Sequence, residues 1–242
     1  VKRILVTNDD GIAAEGLLAL EHALAAVGEV WTAAPAEERS ASSHSITLRR
    51  PLRYREAGLR RWAVEGTPAD AVIVGLHHLL GSWPDLVVSG INHGGNLGKN
   101  IHYSGTVSAA AEGVLNGIPG IAVSICSRGP YDFTPVARLT ADLARRIFAN
   151  QLPAGLLVNV NVPAPWSGGV RATRAYRHLA LTRVEPREHL EGLWFQEQID
   201  FDSVPADSDY AAVRAGAASV SLLEIYRSDG GDHAATLRWL VA

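Results

Sequence analysis

Short, continuously apolar segments separated by helical patterns limit what this chain can become. Ile4-Leu5-Val6-Thr7, Val30-Trp31-Thr32-Ala33-Ala34, Leu86-Val87-Val88-Ser89, Ile121-Ala122-Val123-Ser124-Ile125 and Leu156-Leu157-Val158-Asn159-Val160 each read as a strand buried on both faces. Helical patterns fall between them at about 14–26, 106–116 and 135–150; the first carries apolar residues at Leu17, Leu18, Leu20 and Leu24. A strand with no solvent face, followed by a helix, is the signature of a parallel sheet covered on both sides. The predicted fold class is therefore α/β, with a Rossmann-like, doubly wound, mainly parallel sheet.

Two stretches break this rhythm. Residues 36–65 hold a polar loop, Ala36 to His44, and then hairpin-like β runs at Ser45–Leu48 and Arg61–Val64. Residues 165–205 are rich in Arg, Glu, Pro and aromatic side chains without a helical period, and read as a protruding arm or β-hairpin used in oligomerisation. A helix-like Ser208–Ala215 and a strand Ser219–Leu223 return to the core. The organisation expected is one domain over 1–242, with its core at about 1–164 and 206–224, the arm at about 165–205 and a C-terminal tail at about 225–242.

Bulk properties exclude several classes. The chain has 242 residues, 47% of them hydrophobic and 19% charged, which is enough to bury a core without disulfides or a structural metal. A formal net charge of -3 with no run of five like charges argues against duplex nucleic acid or a membrane surface as partner. Cys126 is the only cysteine, so neither an intrachain disulfide nor a cysteine zinc site can form. The apolar run after Arg3 is too short for a signal-peptide core, and no stretch approaches the roughly 18 apolar residues of a membrane span. The cytoplasm is the expected location. Met is absent and Lys occurs only at Lys2 and Lys99, a bias that a thermophile and a GC-rich genome produce alike.

Ligands bind such sheets at the C-terminal ends of the strands, and three polar clusters fall there. Thr7-Asn8-Asp9-Asp10-Gly11 places two adjacent carboxylates after the first strand, a costly pairing that oxygen-seeking Mg²⁺ or Mn²⁺ would relieve. An Asx turn with Gly11 at positive φ is the structural alternative. Ser89-Gly90-Ile91-Asn92-His93-Gly94-Gly95-Asn96-Leu97-Gly98 is a loop able to approach a ligand closely. Tyr103-Ser104-Gly105-Thr106-Val107-Ser108 opens a helix, where free amides and hydroxyls suit a phosphate, or where Ser104 or Thr106 simply caps the helix. Neither a dinucleotide fingerprint nor a Walker loop is present, and no G-x-S-x-G elbow supports serine catalysis. In the loop 37–45, hydroxyls offer a neutral metal ligand and Arg39 a phosphate contact. His44, His93 and His102 are acid/base candidates, whereas His77 and His78, adjacent on a helix, read as structural.

In their order along the chain these motifs resemble the SurE family, stationary-phase survival proteins that act as 5′/3′-nucleotidases. The matching residues are Ile4–Gly11, Arg39-Ser40, Gly66-Thr67-Pro68-Ala69-Asp70, Ser89-Gly90-Ile91-Asn92 with Asn96, Ser104–Ala109, Asn159–Pro163 and Ser208-Asp209. The resemblance implies a metal-dependent hydrolysis of nucleoside monophosphates and a homodimer or homotetramer. It also implies one divalent ion per subunit (Mg or Mn) held by Asp9, Asp10, Ser40 and Asn92, and a phosphate held by Asn96, Ser104, Gly105 and Thr106. Asp9 and Asp10 would be the catalytic pair. The chain departs from the family pattern at 217–223, which lacks the expected Thr-Pro. Two rival readings are a covalent aspartyl-phosphate enzyme, which needs two Asp spaced by one residue rather than adjacent, and a sensor that binds a nucleotide without hydrolysing it.

Overall fold

The computed structural model describes residues 1–127, 129–176, 181–187, 190–199 and 201–225. In chain order the elements are β1 (Arg3–Thr7), α1 (Glu15–Leu24), β2 (Glu29–Pro35), β3 (Tyr54–Gly58), β4 (Arg61–Val64), α2 (Pro68–Val74), β5 (Leu86–His93), α3 (Gly105–Leu115), β6 (Gly120–Cys126), α4 (Thr134–Asn150), β7 (Leu156–Pro163), β8 (Val170–Thr173), β9 (Leu181–Arg187), β10 (Leu190–Gln198), α5 (Asp209–Arg214) and β11 (Ala218–Glu224). Nine strands form one sheet in the order β3-β4-β2-β1-β5-β6-β7-β11-β8. The six from β4 to β7 run parallel, while β3 and β11 run antiparallel to their neighbours β4 and β7.

Alternation along the central strands divides the core. Ile4 and Val6 of β1, with Val88 of β5 and Val123 of β6, face α1 and α4 through Leu17, Leu20, Val136 and Ala141. Leu5 and Val87 point the other way, towards Val72 of α2 and Ala109 of α3, and Ala122 and Leu157 meet Val107 and Val114 of α3. Both faces of each central strand are thus covered, which is why those strands read as unbroken apolar runs.

The expected run at Ser45–Leu48 is not a strand. The hairpin partner of β4 is β3, joined to it through Arg60 at φ 57°. Thr47 is instead drawn onto Asp70, whose carboxylate accepts from its amide at 2.8 Å and its hydroxyl at 2.7 Å. The same carboxylate accepts from the Thr67 amide while the Thr67 hydroxyl accepts from the Asp70 amide, a capping box at the start of α2. The Gly66–Asp70 motif is therefore a staple between loop and helix. His78 bonds the Tyr54 hydroxyl at 2.8 Å and His77 packs edge-on against Trp83.

The 165–205 stretch contains two different things. Val170–Thr173 joins the main sheet as β8, parallel to β11, and β9 and β10 form a separate antiparallel ribbon. The C-terminal tail, from 226 onward, lies outside the described residues.

Asp70 is buried with all its listeners supplied by one carboxylate, so Asp70→Ala leaves the Thr47 and Thr67 amides without partners. The expected loss is about 3 kcal/mol, read from the urea unfolding midpoint. A shift below about 0.5 kcal/mol would contradict this role.

Candidate active site

Strand β1 ends in Thr7 and delivers Asn8, Asp9, Asp10 and Gly11 into a closed turn. The Asn8 side chain makes the turn by itself: its Nδ2 donates to the Gly11 carbonyl at 2.9 Å and its Oδ1 accepts from the Gly11 amide at 3.2 Å. Gly11 sits at φ 99°, as the turn requires. Because Asn8 serves the turn, the two carboxylates that follow are left to face other elements.

Asp9 points at the first turn of α3. The Thr106 hydroxyl donates to its Oδ1 at 2.5 Å and the Thr106 amide also bonds it. Ser104 caps the helix, its oxygen accepting from the Val107 amide at 3.1 Å. Gly105 lets the helix come this close: a Cβ there would lie 2.7 Å from Ser42 Oγ and 2.9 Å from Asp9 Oδ2. Even so, burial holds the Asp9 carboxyl above its ordinary value, outweighing the bonds from Thr106.

Asp10 turns the other way, to the end of β5. The strand bends at Gly90, whose φ is 141° and where a Cβ would lie 2.4 Å from the Val123 carbonyl oxygen. The β5–β6 register shifts between Ser89 and Asn92, bringing His93 round to Asp10. His93 meets the carboxylate with its backbone amide and with Nδ1 at 3.3 Å. Burial, and then the charge of Asp9, push the Asp10 carboxyl up to about 6. Asp10 Oδ2 and Ser42 Oγ are buried without a hydrogen-bond partner.

The loop after β2 closes over the pair. The Arg39 amide donates to the Asp9 carbonyl at 2.7 Å, and Ser43 donates from its amide to the Tyr103 carbonyl and from its hydroxyl to the His102 carbonyl. Ser40 gives its proton to Glu38 Oε1 at 2.6 Å, which leaves the lone pairs of its oxygen available. Asn92 spends Nδ2 on the Gly94 carbonyl at 2.7 Å, which leaves Oδ1 as its outward atom. His44 pairs with Glu112 at 2.9 Å and so ties the loop to α3 rather than reaching the carboxylates.

Asn96 lies deeper. Its amide donates to Asn161 Oδ1 at 2.7 Å, its Nδ2 donates to Ser124 Oγ at 2.9 Å, and its carbonyl accepts from Asn159 and Asn161. The hydrogen bonds of Asn96 thus run to β6 and β7. Two residues beyond, Gly98 donates to the buried carboxylate of Asp209, which also takes the Tyr176 and Tyr210 amides. Asp209 enters the sequence reading only through the family resemblance and without a role, and Ser42 only as one of several hydroxyls in the loop 37–45. Burial pushes the Cys126 thiol up to about 12, away from the thiolate that nucleophilic chemistry needs.

Among the described residues no three of His, Cys, Asp or Glu converge as a metal-holding group. A cation at Asp9 and Asp10 would take two carboxylates and complete its shell with neutral oxygens such as those of Ser40 and Asn92. That donor set suits Mg²⁺ or Mn²⁺ and not zinc. The unpartnered Asp10 Oδ2 and the raised affinity of both carboxyls for protons are what such a cation corrects.

The profile of the family described as Survival protein SurE matches residues 4–188. The chain belongs to the SurE family. It is 46% identical over 228 residues to a protein named 5′-nucleotidase SurE from Pelotomaculum thermopropionicum, covering 90% of this chain and 88% of that one. It is 43% identical to the protein of the same name from Myxococcus xanthus, covering 95% and 90%. A structure titled as the SurE protein from Aquifex aeolicus superposes with a TM-score of 0.89 at 33% identity, covering 99% of this chain and all of that one. The SurE fold therefore extends past residue 188 and through α5 and β11.

The shifted carboxyls predict a pH-linked cation effect. With folded values above the ordinary 3.8, the cation-free protein holds more protons than its unfolded chain, so it loses stability as pH rises from about 4 through about 6. A cation binds the deprotonated pair, and its stabilisation therefore grows through the same window and is complete above it. At pH 7.5, Mn²⁺ at about a hundred times its Kd should raise Tm by about 5–10 °C. The shift should shrink towards pH 5 and vanish in Asp9→Asn; a shift independent of pH would reject the carboxylate pair as the cation site.

Proposed function

We propose that this SurE protein is a divalent-metal-dependent phosphomonoesterase that hydrolyses nucleoside monophosphates to nucleoside and phosphate. The observation that carries the reading is the adjacent Asp9–Asp10 pair, Asp9 buried against the first turn of α3 and Asp10 half-buried with its Oδ2 unpartnered. Relatives named 5′-nucleotidase SurE at 43–51% identity support the substrate class. In this reading Asp9, Asp10, Ser40 and Asn92 hold one Mg²⁺ or Mn²⁺ per subunit, and Asn96, Ser104, Gly105 and Thr106 receive the phosphate, Asn96 and Thr106 by exchanging the bonds they make here to Ser124 and Asp9. Such an ion supplies charge neutralisation at the phosphoryl oxygens and a more acidic water.

The chain's own groups do the rest. The Ser104 oxygen already accepts from Val107, so its proton is available for an equatorial phosphoryl oxygen. The Gly105 amide lies in the same open first turn, where the helix end favours negative charge. Thr106 holds Asp9 in one rotamer and keeps the carboxylate aimed. Asp10, the more exposed of the two acids, is the one water reaches, and to it we assign the proton released by the attacking water.

The test is phosphate release from 5′- and 3′-nucleoside monophosphates with Mg²⁺, with Mn²⁺ and with EDTA. Release should require the metal, and Asp9→Asn or Asp10→Asn should cost at least about 10³ in kcat/KM. Near-normal turnover by Asp9→Asn would sink the assignment, and binding of AMP without release would favour a sensor.

We also read residues 1–242 as one domain that self-associates through the β9–β10 ribbon. Val184, Leu193 and Trp194 are exposed on it, and its two strands pair only with each other among the described residues. A lone two-stranded ribbon is marginal in water, so a second copy is its natural support. Light scattering on a chain lacking residues 181–198 should report a monomer where the full chain forms a dimer or tetramer; an unchanged mass would refute the contact. None of the described helices is long and apolar enough to cross a membrane. With a single cysteine in the sequence, the cytoplasm is where we place the activity.

A further inference from the structure

A group of rings stands at the rim of the carboxylate pair. His93 contacts Asp10 through Nδ1, and Tyr131 lies almost flat on the His93 ring, with centroids 4.7 Å apart and planes at 16°. Phe133 backs both, at 5.3 Å from His93 and 5.4 Å from Tyr131. Phe133 is buried and caps α4, and Asp132 accepts from the Thr134 amide at 3.0 Å, so the base of the group is fixed to a helix end. Tyr131 stays 37% exposed and the His93 side chain 34% exposed. Phe133 braces the two other rings, and both of those keep exposed surface. A Cβ on the neighbouring Gly94 would meet nothing within 4 Å, so space is open beside them.

The position of the rings fixes what they can receive. On the Asp9 side the site is walled by Thr106 and Gly105, and Asp10 is bounded by His93. With the phosphate read onto the first turn of α3, the alcohol portion of the ester extends in this reading over Asp10 towards His93 and Tyr131. A nucleotide separates its phosphorus from its base by one pentose, and Tyr131 stands one side chain removed from Asp10, stacked on the ring of His93. Aromatic side chains stack on any base, more strongly on the larger face of a purine.

We propose that Tyr131, carried on His93 and Phe133, is the platform on which the nucleobase stacks, and that it makes this enzyme prefer purine over pyrimidine monophosphates. The proposal rests on the phosphomonoesterase reading above and adds the subsite for the base.

The test compares 5′-AMP, 5′-CMP and ribose 5-phosphate, which has the same sugar and phosphate without a base. In the wild type kcat/KM should fall in that order. Tyr131→Ala should lower the ratio of AMP to ribose 5-phosphate about tenfold, mainly through KM, and Tyr131→Phe should keep it. On the wild type alone, adenosine should inhibit ribose 5-phosphate hydrolysis at lower concentration than cytidine, an arm that does not depend on any variant folding. An unchanged ratio in Tyr131→Ala, or equal inhibition by the two nucleosides, overturns the platform and leaves the phosphatase intact. A wild type that releases phosphate from none of the three overturns the phosphatase reading, and the platform with it.

Discussion

Two carboxylates adjacent in sequence, both withdrawn from water, repel each other and resist ionisation. The structure around Asp9 and Asp10 is arranged to bear that strain without removing it. Asn8 closes the turn so that the two acids diverge. Thr106 and the end of α3 stabilise one, and His93 at the end of β5 stabilises the other. Neither compensation suffices, since both carboxyls retain a raised affinity for protons. A site that holds unresolved negative charge at neutral pH selects for a cation, and a cation selects in turn for an anionic substrate. The order of these dependences explains why a single turn after β1 organises three separate loops.

Parallel strands make this arrangement possible. β1, β5 and β6 run in one direction, so the chain segments leaving them emerge at one edge of the sheet. Asp9 and Asp10 leave β1, Asn92 and His93 end β5, and Ser40 follows β2. Helix α3 returns to that edge with its N-terminal turn first, which places donors where the acids need them. Had β5 and β1 been antiparallel, their ends would lie on opposite sides of the domain, and no short loop would join Asn92 to Asp10.

Much of this was legible in the sequence because local patterns carry it. Strands buried on both faces must be apolar throughout, so Ile4–Val6, Leu86–Val88 and Ile121–Val123 declare themselves. Polar residues directly after such runs, as at Asp9 and Asn92, must sit at strand ends. What escaped depends on contacts between residues far apart in the chain. Ser45, Ile46, Thr47 and Leu48 alternate like a strand, yet Asp70 claims the Thr47 amide and the ladder never forms. β3 reads YREAG, an exposed edge with little apolar signal, and so gives no warning of itself. The rings at the rim come from positions 93, 131 and 133, and no spacing rule connects them. Ser42 is one hydroxyl among several in a polar loop until Gly105 brings the helix against it.

Asp209 shows how far the site reaches beyond its obvious motifs. It lies outside the segment that the family profile matches, in a six-residue helix more than a hundred positions from the residue it supports. Its carboxylate nevertheless takes the Gly98 amide at 2.8 Å, together with the amides of Tyr176 and Tyr210. Three amide donors on one buried carboxylate make a rigid junction, and Gly98 can join it because a Cβ there would strike the Tyr210 ring and the Tyr176 carbonyl. The strand-end loop from Asn92 to Gly98 is thereby pinned at both ends: at His93 by Asp10, and at Asn96–Gly98 by the side-chain carboxamides of Asn159 and Asn161 on β7 and by Asp209. A loop free at its far end would not keep His93 against Asp10. The C-terminal part of the chain therefore bears on the carboxylate turn through the loop it holds, which gives a physical reason for α5 to belong to the same fold as that edge of the sheet.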